Sequence, residues 1–210
     1  MDASAYRAAV RAGTRHLVRA DPLLRKLVRR HGACGLAPNW TRTPYQALVQ
    51  AVLHQQLAGA AARTIHDRFV ALFAPKRFPA PEDILAAADA DLRAVGLSRQ
   101  KSAYVRDIAA RAMDGTIPRT RRALAALDDE SIIARLTTAH GVGRWTAEML
   151  LIFTLGRLDV LPVDDYGVRT GYARSVGLDA VAPRELRALG ERWSPYRSIV
   201  AWYLWRAADA

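Results

Sequence analysis

The sequence predicts an all-α protein, and three observations carry that prediction. No segment shows the alternating apolar and polar pattern of a half-buried strand. Most segments instead repeat apolar residues at i, i+3 and i+4, the spacing that places them on one helical face. Proline, glycine and capping side chains then fall where helices of that period should start or stop.

The first helix is expected over Ala5–Val18. Asp21-Pro22 opens a second, Pro22–Arg30, with the aspartate as cap and the proline in the first turn, where its missing N–H costs nothing. Thr43-Pro44 opens Pro44–Gln55 in the same way, and Ala58–Phe73 follows a polar turn. Pro81–Ala88 and Asp89–Val95 are short, with Gly96 ending the second, and Ser98–Asp114 stops at Gly115. Thr120–Leu127 comes next, then Ser131–Thr138, capped from the run Asp128-Asp129-Glu130. Gly141 and Gly143 separate that helix from a long apolar one, Arg144–Leu155. Asp165–Val176, Pro183–Arg192 and Pro195–Ala208 complete the pattern.

A chain of 210 residues that is 51% hydrophobic can bury a substantial core, as one domain or two small lobes, and is not disordered. Its formal charge of +11 suits a polyanionic partner, nucleic acid first, rather than a small-molecule substrate. Of the 31 basic residues only Lys26, Lys76 and Lys101 are lysines, so the positive surface is arginine, whose fork matches phosphate bidentately. Arg174, Arg184, Arg187 and the N-terminal arginines read as solvated surface. Cys34 stands alone, which excludes a disulfide framework, a cysteine zinc site and a four-cysteine iron–sulfur cluster and points to a reducing cytoplasm. With no apolar run long enough to cross a membrane, the expectation is a monomeric cytoplasmic protein with no membrane partner.

The stretch Thr137-Thr138-Ala139-His140-Gly141-Val142-Gly143-Arg144-Trp145-Thr146, followed by Leu161-Pro162-Val163-Asp164-Asp165-Tyr166, carries the chemistry. A Gly-x-Gly turn that opens a helix can offer several backbone N–H groups to one anion, aided by the helix dipole. Alone, such glycines are mostly helix C-caps. The Asp164-Asp165 pair permits a division of labour: if Asp164 caps the following helix, Asp165 enters its first turn and its carboxylate can act elsewhere.

Taken together, GVGRWTAEMLLIF and DVLPVDDYGVR resemble, in order and spacing, the signature of the helix-hairpin-helix DNA glycosylases, and within them the 3-methyladenine DNA glycosylase II branch that repairs alkylated bases. The resemblance implies two helical lobes, residues 1–44 with 159–210 and residues 45–158, the latter carrying the hairpin, with the flipped base held between them. It implies duplex DNA with damaged bases as partner, and phosphate contacts from Gly141, Val142, Gly143, Arg144 and Thr146. It places the catalytic carboxylate on Asp165, with Asp164 the alternative or the helix cap.

Relatives that also nick the strand carry a lysine where this chain has Trp145, so the resemblance implies a monofunctional hydrolase using water. The family's closing helix matches Trp202-Tyr203-Leu204-Trp205 and implies Trp205 as an aromatic pocket wall, able to attract a cationic methylated base. Trp145, Met149 and His54 join the expected pocket. Met149 replaces an aromatic ring of better-known relatives, which widens the expected range toward ethenoadenine and 1-methyladenine. Trp193 and Trp202 are expected in the core.

His54-Gln55-Gln56-Leu57 resembles the loop that fills the gap left by the extruded nucleotide, with Gln56, or its neighbour Gln55, as the wedge. No cofactor is expected as a requirement. The family instead implies a Na+ or K+ ion on the backbone carbonyls of Thr137, Ala139 and Val142. Two other readings remain open: a non-catalytic helix-hairpin-helix DNA-binding module, and a glycosylase for uracil or mismatched bases.

Overall fold

A computed structural model of the chain describes residues 2–57 and 59–209 and contains only helices and turns among them. The helices are α1 (Ala3–Ala20), α2 (Pro22–His31), α3 (Pro44–His54), α4 (Gly59–Leu72), α5 (Pro81–Ala86), α6 (Asp89–Ala94), α7 (Arg99–Met113), α8 (Arg122–Ala125), α9 (Asp129–Leu136), α10 (Arg144–Leu150), α11 (Tyr166–Val176), α12 (Pro183–Gly190) and α13 (Arg197–Ala208). The expected start of the fourth helix at Ala58 lies outside the described residues. A five-residue π-helix, Leu151–Leu155, directly follows α10, and a 3-10 turn, Glu191–Trp193, follows α12.

The expected caps fall close to their places. Asp21 accepts from the Leu23 N–H at 2.8 Å at the start of α2. Thr43 and Gln46 form a reciprocal capping box on α3, and Asp128 takes the Ser131 N–H for α9. The expected Thr120–Leu127 helix shrinks to one turn.

The chain divides into two compact units, residues 1–39 with 151–210 and residues 40–150. Both boundaries precede those expected at 44/45 and 158/159. The second moves because the expected helix Arg144–Leu155 does not continue as α-helix. Its last turn widens to a π-helix whose residues belong with the termini: the Asn39 N–H donates to the Phe153 carbonyl at 2.8 Å.

In the terminal unit α13 is the central element, with Ile199, Val200, Ala201, Tyr203 and Leu204 all buried. It packs on α1, α2 and α11. Gly171 of α11 makes the last of these possible, since a Cβ there would collide with the Leu204 carbonyl. Trp193 is fully buried, as expected of a core tryptophan, and its Nε1–H donates to Asp21 at 2.7 Å. Trp202 is only half-buried, edge-on to Tyr203.

The central unit is built on α3, which packs against α4, α7 and α10 through Leu48, Val49, Val52 and Leu53. Fully burying side chains of this size stabilises by about 1.5–3 kcal/mol each. Arg106 of α7 holds the end of α5 by donating to the carbonyls of Ile84, Leu85 and Ala87 and to Asp89.

Candidate active site

In the central unit the hairpin is a tight turn. The Val142 N–H donates to the Ala139 carbonyl at 3.1 Å, and Gly141 adopts φ +79°. That left-handed conformation favours glycine, and a Cβ at Gly141 would also strike the ring of Tyr104 on α7.

Three side chains from outside fasten the turn. Asp107 accepts the His140 N–H at 2.8 Å and lies 3.3 Å from its Nδ1. Arg111 bonds Asp107 at 2.8 Å and Thr138 at 3.3 Å. Gln55 donates through Nε2 to the Gly141 carbonyl at 2.8 Å. Burial works to raise the Asp107 carboxyl, but the bonds from Arg111 and His140 outweigh it and hold it below the ordinary carboxylate range. Beside the turn lies a groove of about 560 Å³ lined by Gln56, Ser98, Gln100, Lys101 and the hairpin residues from Thr137 to Gly143.

Two expected phosphate ligands face elsewhere. The Arg144 guanidinium is committed to Glu148, at 3.0 Å through Nε, and to Glu130, bidentately. The Glu130 bonds foremost raise its affinity for its proton. Thr146 is 5% exposed and Val142 is buried as well, so only their backbone, with Gly141 and Gly143, remains for an anion. The reason is helical geometry: Glu148 stands four residues after Arg144, and residue 146 falls on the core side of α10.

The wedge candidates separate. Gln55 is used by the hairpin and is not available to insert. Gln56 is exposed and, at φ +58°, is the one non-glycine among the described residues in the left-handed region, a conformation that stores backbone strain. Leu57 beside it is also exposed. Sequence reasoning passed over Leu57, since a single exposed apolar side chain is ordinary and carries no signal in the sequence. Lys101 anchors the base of the loop, donating to the Leu53 carbonyl at 2.9 Å, and its partial burial lowers its ammonium below the ordinary lysine range.

His54, expected in the base pocket, is half-buried with its ring edge-on to His66 of α4 at 6.0 Å, a packing position. Desolvation foremost, then neighbouring His66 and Arg42, disfavour its charged form. Trp145 opens α10 with 45% of its surface exposed, unusual for so large a ring, while Met149 one turn on is half-buried.

In the terminal unit the carboxylate is in place, with its role in the helix changed. Asp165, not Asp164, is the N-cap of α11: Oδ1 accepts the Val168 N–H at 2.8 Å, and Asp164 is exposed. The turn Pro162–Asp165, closed by the Asp165 N–H on the Pro162 carbonyl at 3.0 Å, sets this register. The same Oδ1 accepts the Trp205 Nε1–H at 2.9 Å. Gly167 leaves room for that approach, since a Cβ there would fall 2.9 Å from Trp205 Cδ1 and 3.2 Å from Asp165 Oδ1.

Phe153, which sequence reasoning missed, stacks on Trp205 with centroids 5.7 Å apart and planes inclined by 31°. Its place four residues after Met149 and eight after Trp145 was a signal, but the π-helix that aims it toward Trp205 is not readable from spacing.

A model of the HhH-GPD superfamily of base excision DNA repair proteins matches residues 49–195, which include the loop at Gln56, the hairpin and Asp165. The chain belongs to that superfamily. It is 38% identical over 198 residues to the DNA-3-methyladenine glycosylase 1 of Schizosaccharomyces pombe, covering 92% of this chain and 85% of that protein. Among solved structures it is similar to an S. pombe 3-methyladenine DNA glycosylase in complex with abasic DNA, at TM-score 0.85 and 36% identity over 95% of this chain and 97% of the other. It also matches a Bacillus halodurans DNA-3-methyladenine glycosidase at TM-score 0.82 and 32% identity, over 92% and 88%. No helix among the described residues is long and apolar enough to cross a membrane.

Proposed function

We propose that this chain is a monofunctional DNA glycosylase that extrudes alkylated bases, 3-methyladenine and 7-methylguanine foremost, and hydrolyses their N-glycosidic bond in base excision repair. The observation that carries this is the Trp205 Nε1 to Asp165 Oδ1 bond, with Phe153 stacked on the same indole. A module that only binds duplex has no use for a carboxylate oriented by an aromatic ring.

Loss of the base leaves positive charge on the deoxyribose ring. A fixed aspartate stabilises that charge electrostatically and accepts a proton from the attacking water. An alkylated base that is already cationic leaves readily, so the protein supplies position and charge rather than a strong acid. The exposed ring of Phe153 and the indole of Trp205 offer stacking surface to such a base, as cation–π attraction requires. Unstacking and unpairing cost a few kcal/mol, which Gln56 and Leu57 offset by filling the vacated space.

Water is the nucleophile because the position of the lyase lysine is Trp145. Of the three lysines in the chain, Lys76 is paired with Asp83 and Lys101 with the Leu53 carbonyl. The hairpin backbone takes a DNA phosphate. Thr137, Ala139 and Val142 line one groove, and their carbonyls are hard oxygen donors of the kind a sodium or potassium ion takes, although Ala139 already accepts one bond from Val142. Such an ion would add positive charge beside the phosphate. DNA as substrate, with Cys34 a free, half-buried thiol, suits the cytoplasm.

The test is base release from methylated, deaminated and undamaged duplexes. Release from methylated DNA alone is expected. Release from none would leave a binding module, and preference for uracil would favour a glycosylase of that class.

A further inference from the structure

We infer that the solvent face of α1, extended by α2, is a second duplex-binding surface on this protein, carried by the unit that does not hold the hairpin. Arg7, Arg11, Arg15 and Arg19 recur every fourth residue along α1, and all four are exposed. Tyr6, Val10, Gly13 and Leu17 take the buried side of the same helix, which leaves the arginines on its outer side. Each step of four residues advances about 6 Å along the axis, so the row spans about 18 Å. On the neighbouring α2, Arg25, Lys26, Arg29 and Arg30 are exposed as well. Residues 1–39 thus hold eight Arg or Lys against two aspartates. Of these, Asp2 caps α1, and Asp21 caps α2 and bonds the Trp193 indole.

Little of this charge serves the fold: Arg25 donates to the Val18 carbonyl at 3.4 Å, and Arg19 stands in the last turn of α1, where a cation is favoured by the helix dipole. Other arginines of the chain hold structure together: Arg106 bonds three carbonyls, Arg135 those of Gly115 and Thr116, and Arg197 bonds Asp159. Arg7, Arg11, Arg15 and Arg19 make no ion pair and no side-chain hydrogen bond among the described residues. Like charges four residues apart destabilise a helix, so the row as a whole works against α1, with only Arg19, in the last turn, favoured by the helix dipole. A duplex presents one phosphate per about 1.7 Å of axis and matches an extended row of guanidinium groups. The apolar side of α1 is packed inside the unit, so the helix has no face to insert into a lipid surface. Such a surface would hold flanking or second duplex without sequence preference.

The experiment compares the parent with a variant carrying Arg7→Gln, Arg11→Gln, Arg15→Gln and Arg19→Gln, and with the four Arg→Lys substitutions as a charge-preserving control. Affinity for long undamaged duplex is measured against salt concentration. Each phosphate neutralised contributes about 0.9 to the log–log slope, so the glutamine variant is expected to lose up to about 3.6 of it and at least tenfold in low-salt affinity. The lysine variant keeps both. Identical slopes and affinities for parent and glutamine variant overturn the inference. So does loss of binding to phosphatidylserine vesicles with the DNA slope unchanged, which would make lipid the partner. The inference rests on DNA as the substrate but not on the chemistry. Single-turnover base release from a short methylated duplex at saturating protein is expected to be equal in parent and variant, and an inactive parent would count against the glycosylase reading while leaving the slope comparison intact.

Discussion

Trp205 donates its indole N–H to the same carboxylate oxygen of Asp165 that caps α11. Ring and carboxylate are therefore oriented by one another, through a bond between α13 and the start of α11. The Gly171 approach to Leu204 keeps those two helices backbone to side-chain-free backbone, which fixes the distance across which the bond acts.

Replacing Asp165 by Asn is expected to slow base release by about a hundredfold or more while leaving duplex affinity within a few fold, because it removes charge and little shape. Asparagine is itself a good cap, so the melting temperature should stay near that of the parent, whereas Asp165→Ala should cost about 1 kcal/mol. Asp164→Asn should be nearly silent. Equal loss at both positions in single-turnover assays would overturn the assignment.

Trp205→Phe keeps a ring but deletes the N–H. A hydrogen bond to a charged group is worth about 1.5–3 kcal/mol, so excision should fall roughly ten- to hundredfold with undamaged-duplex binding unchanged. Trp205→Ala should fall further. Gly167→Ala should act in the same sense, since its methyl group crowds both partners. Excision by Trp205→Phe at the parent rate would show that the bond has no part in catalysis.

At the hairpin, Gln55→Ala removes the bond to the Gly141 carbonyl. The loss of about 1 kcal/mol predicts roughly fivefold weaker duplex binding. Arg144→Gln makes the opposite prediction. With its guanidinium tied to Glu130 and Glu148, its loss should lower thermal stability and leave the salt dependence of DNA binding unchanged. A reduced salt slope in Arg144→Gln would show that the residue does reach phosphate.

The carboxyls of Asp107 and Asp159 both sit below the ordinary range. For Asp159, as for Asp107, burial opposes ionisation and is outweighed, here by bonds from Arg197 and Ser194. A depressed carboxylate contributes stability that is present above its unfolded value and is lost as pH falls through its folded value. Urea denaturation between pH 7 and about pH 3 should therefore show a falling acid limb that Asp159→Asn flattens. An unchanged acid limb in that variant would remove Asp159 from the account.

The product is expected to be an intact abasic strand, cleaved only by later alkali or heat, with no adduct trapped by borohydride. Across a lesion panel, cationic 3-methyladenine and 7-methylguanine should be released faster than neutral hypoxanthine or uracil. Efficient trapping would contradict water as the nucleophile, and a preference for uracil would contradict selection by stacking.

Where the sequence was read well, the signal was local. Caps such as Asp21, Thr43 and Asp128 act within one turn, so spacing and residue type are enough to find them. The Asp164-Asp165 pair was found for the same reason, yet which of the two caps α11 depends on the turn closed at Pro162, a matter of one residue. The placing of the Arg144 guanidinium on Glu130 and Glu148 and of the Thr146 side chain in the core was not legible, because a motif names residues without saying which way an α10 side chain points. Phe153 escaped because a π-helix changes the residue count per turn and with it the face. Gln55 is named in the sequence as a wedge candidate, but its bond to the hairpin was not legible because its partner, Gly141, lies eighty-six positions away.

That bond between Gln55 and Gly141 ties the loop after α3 to the hairpin, two segments eighty-six positions apart in sequence. Under the proposed function the hairpin takes the phosphate, and Gln55 directly precedes Gln56 and Leu57, the residues proposed to fill the gap in the stack. On that reading the bond sets the reach of the loop tip relative to the hairpin, so that phosphate contact and probing of the stack are coupled rather than independent.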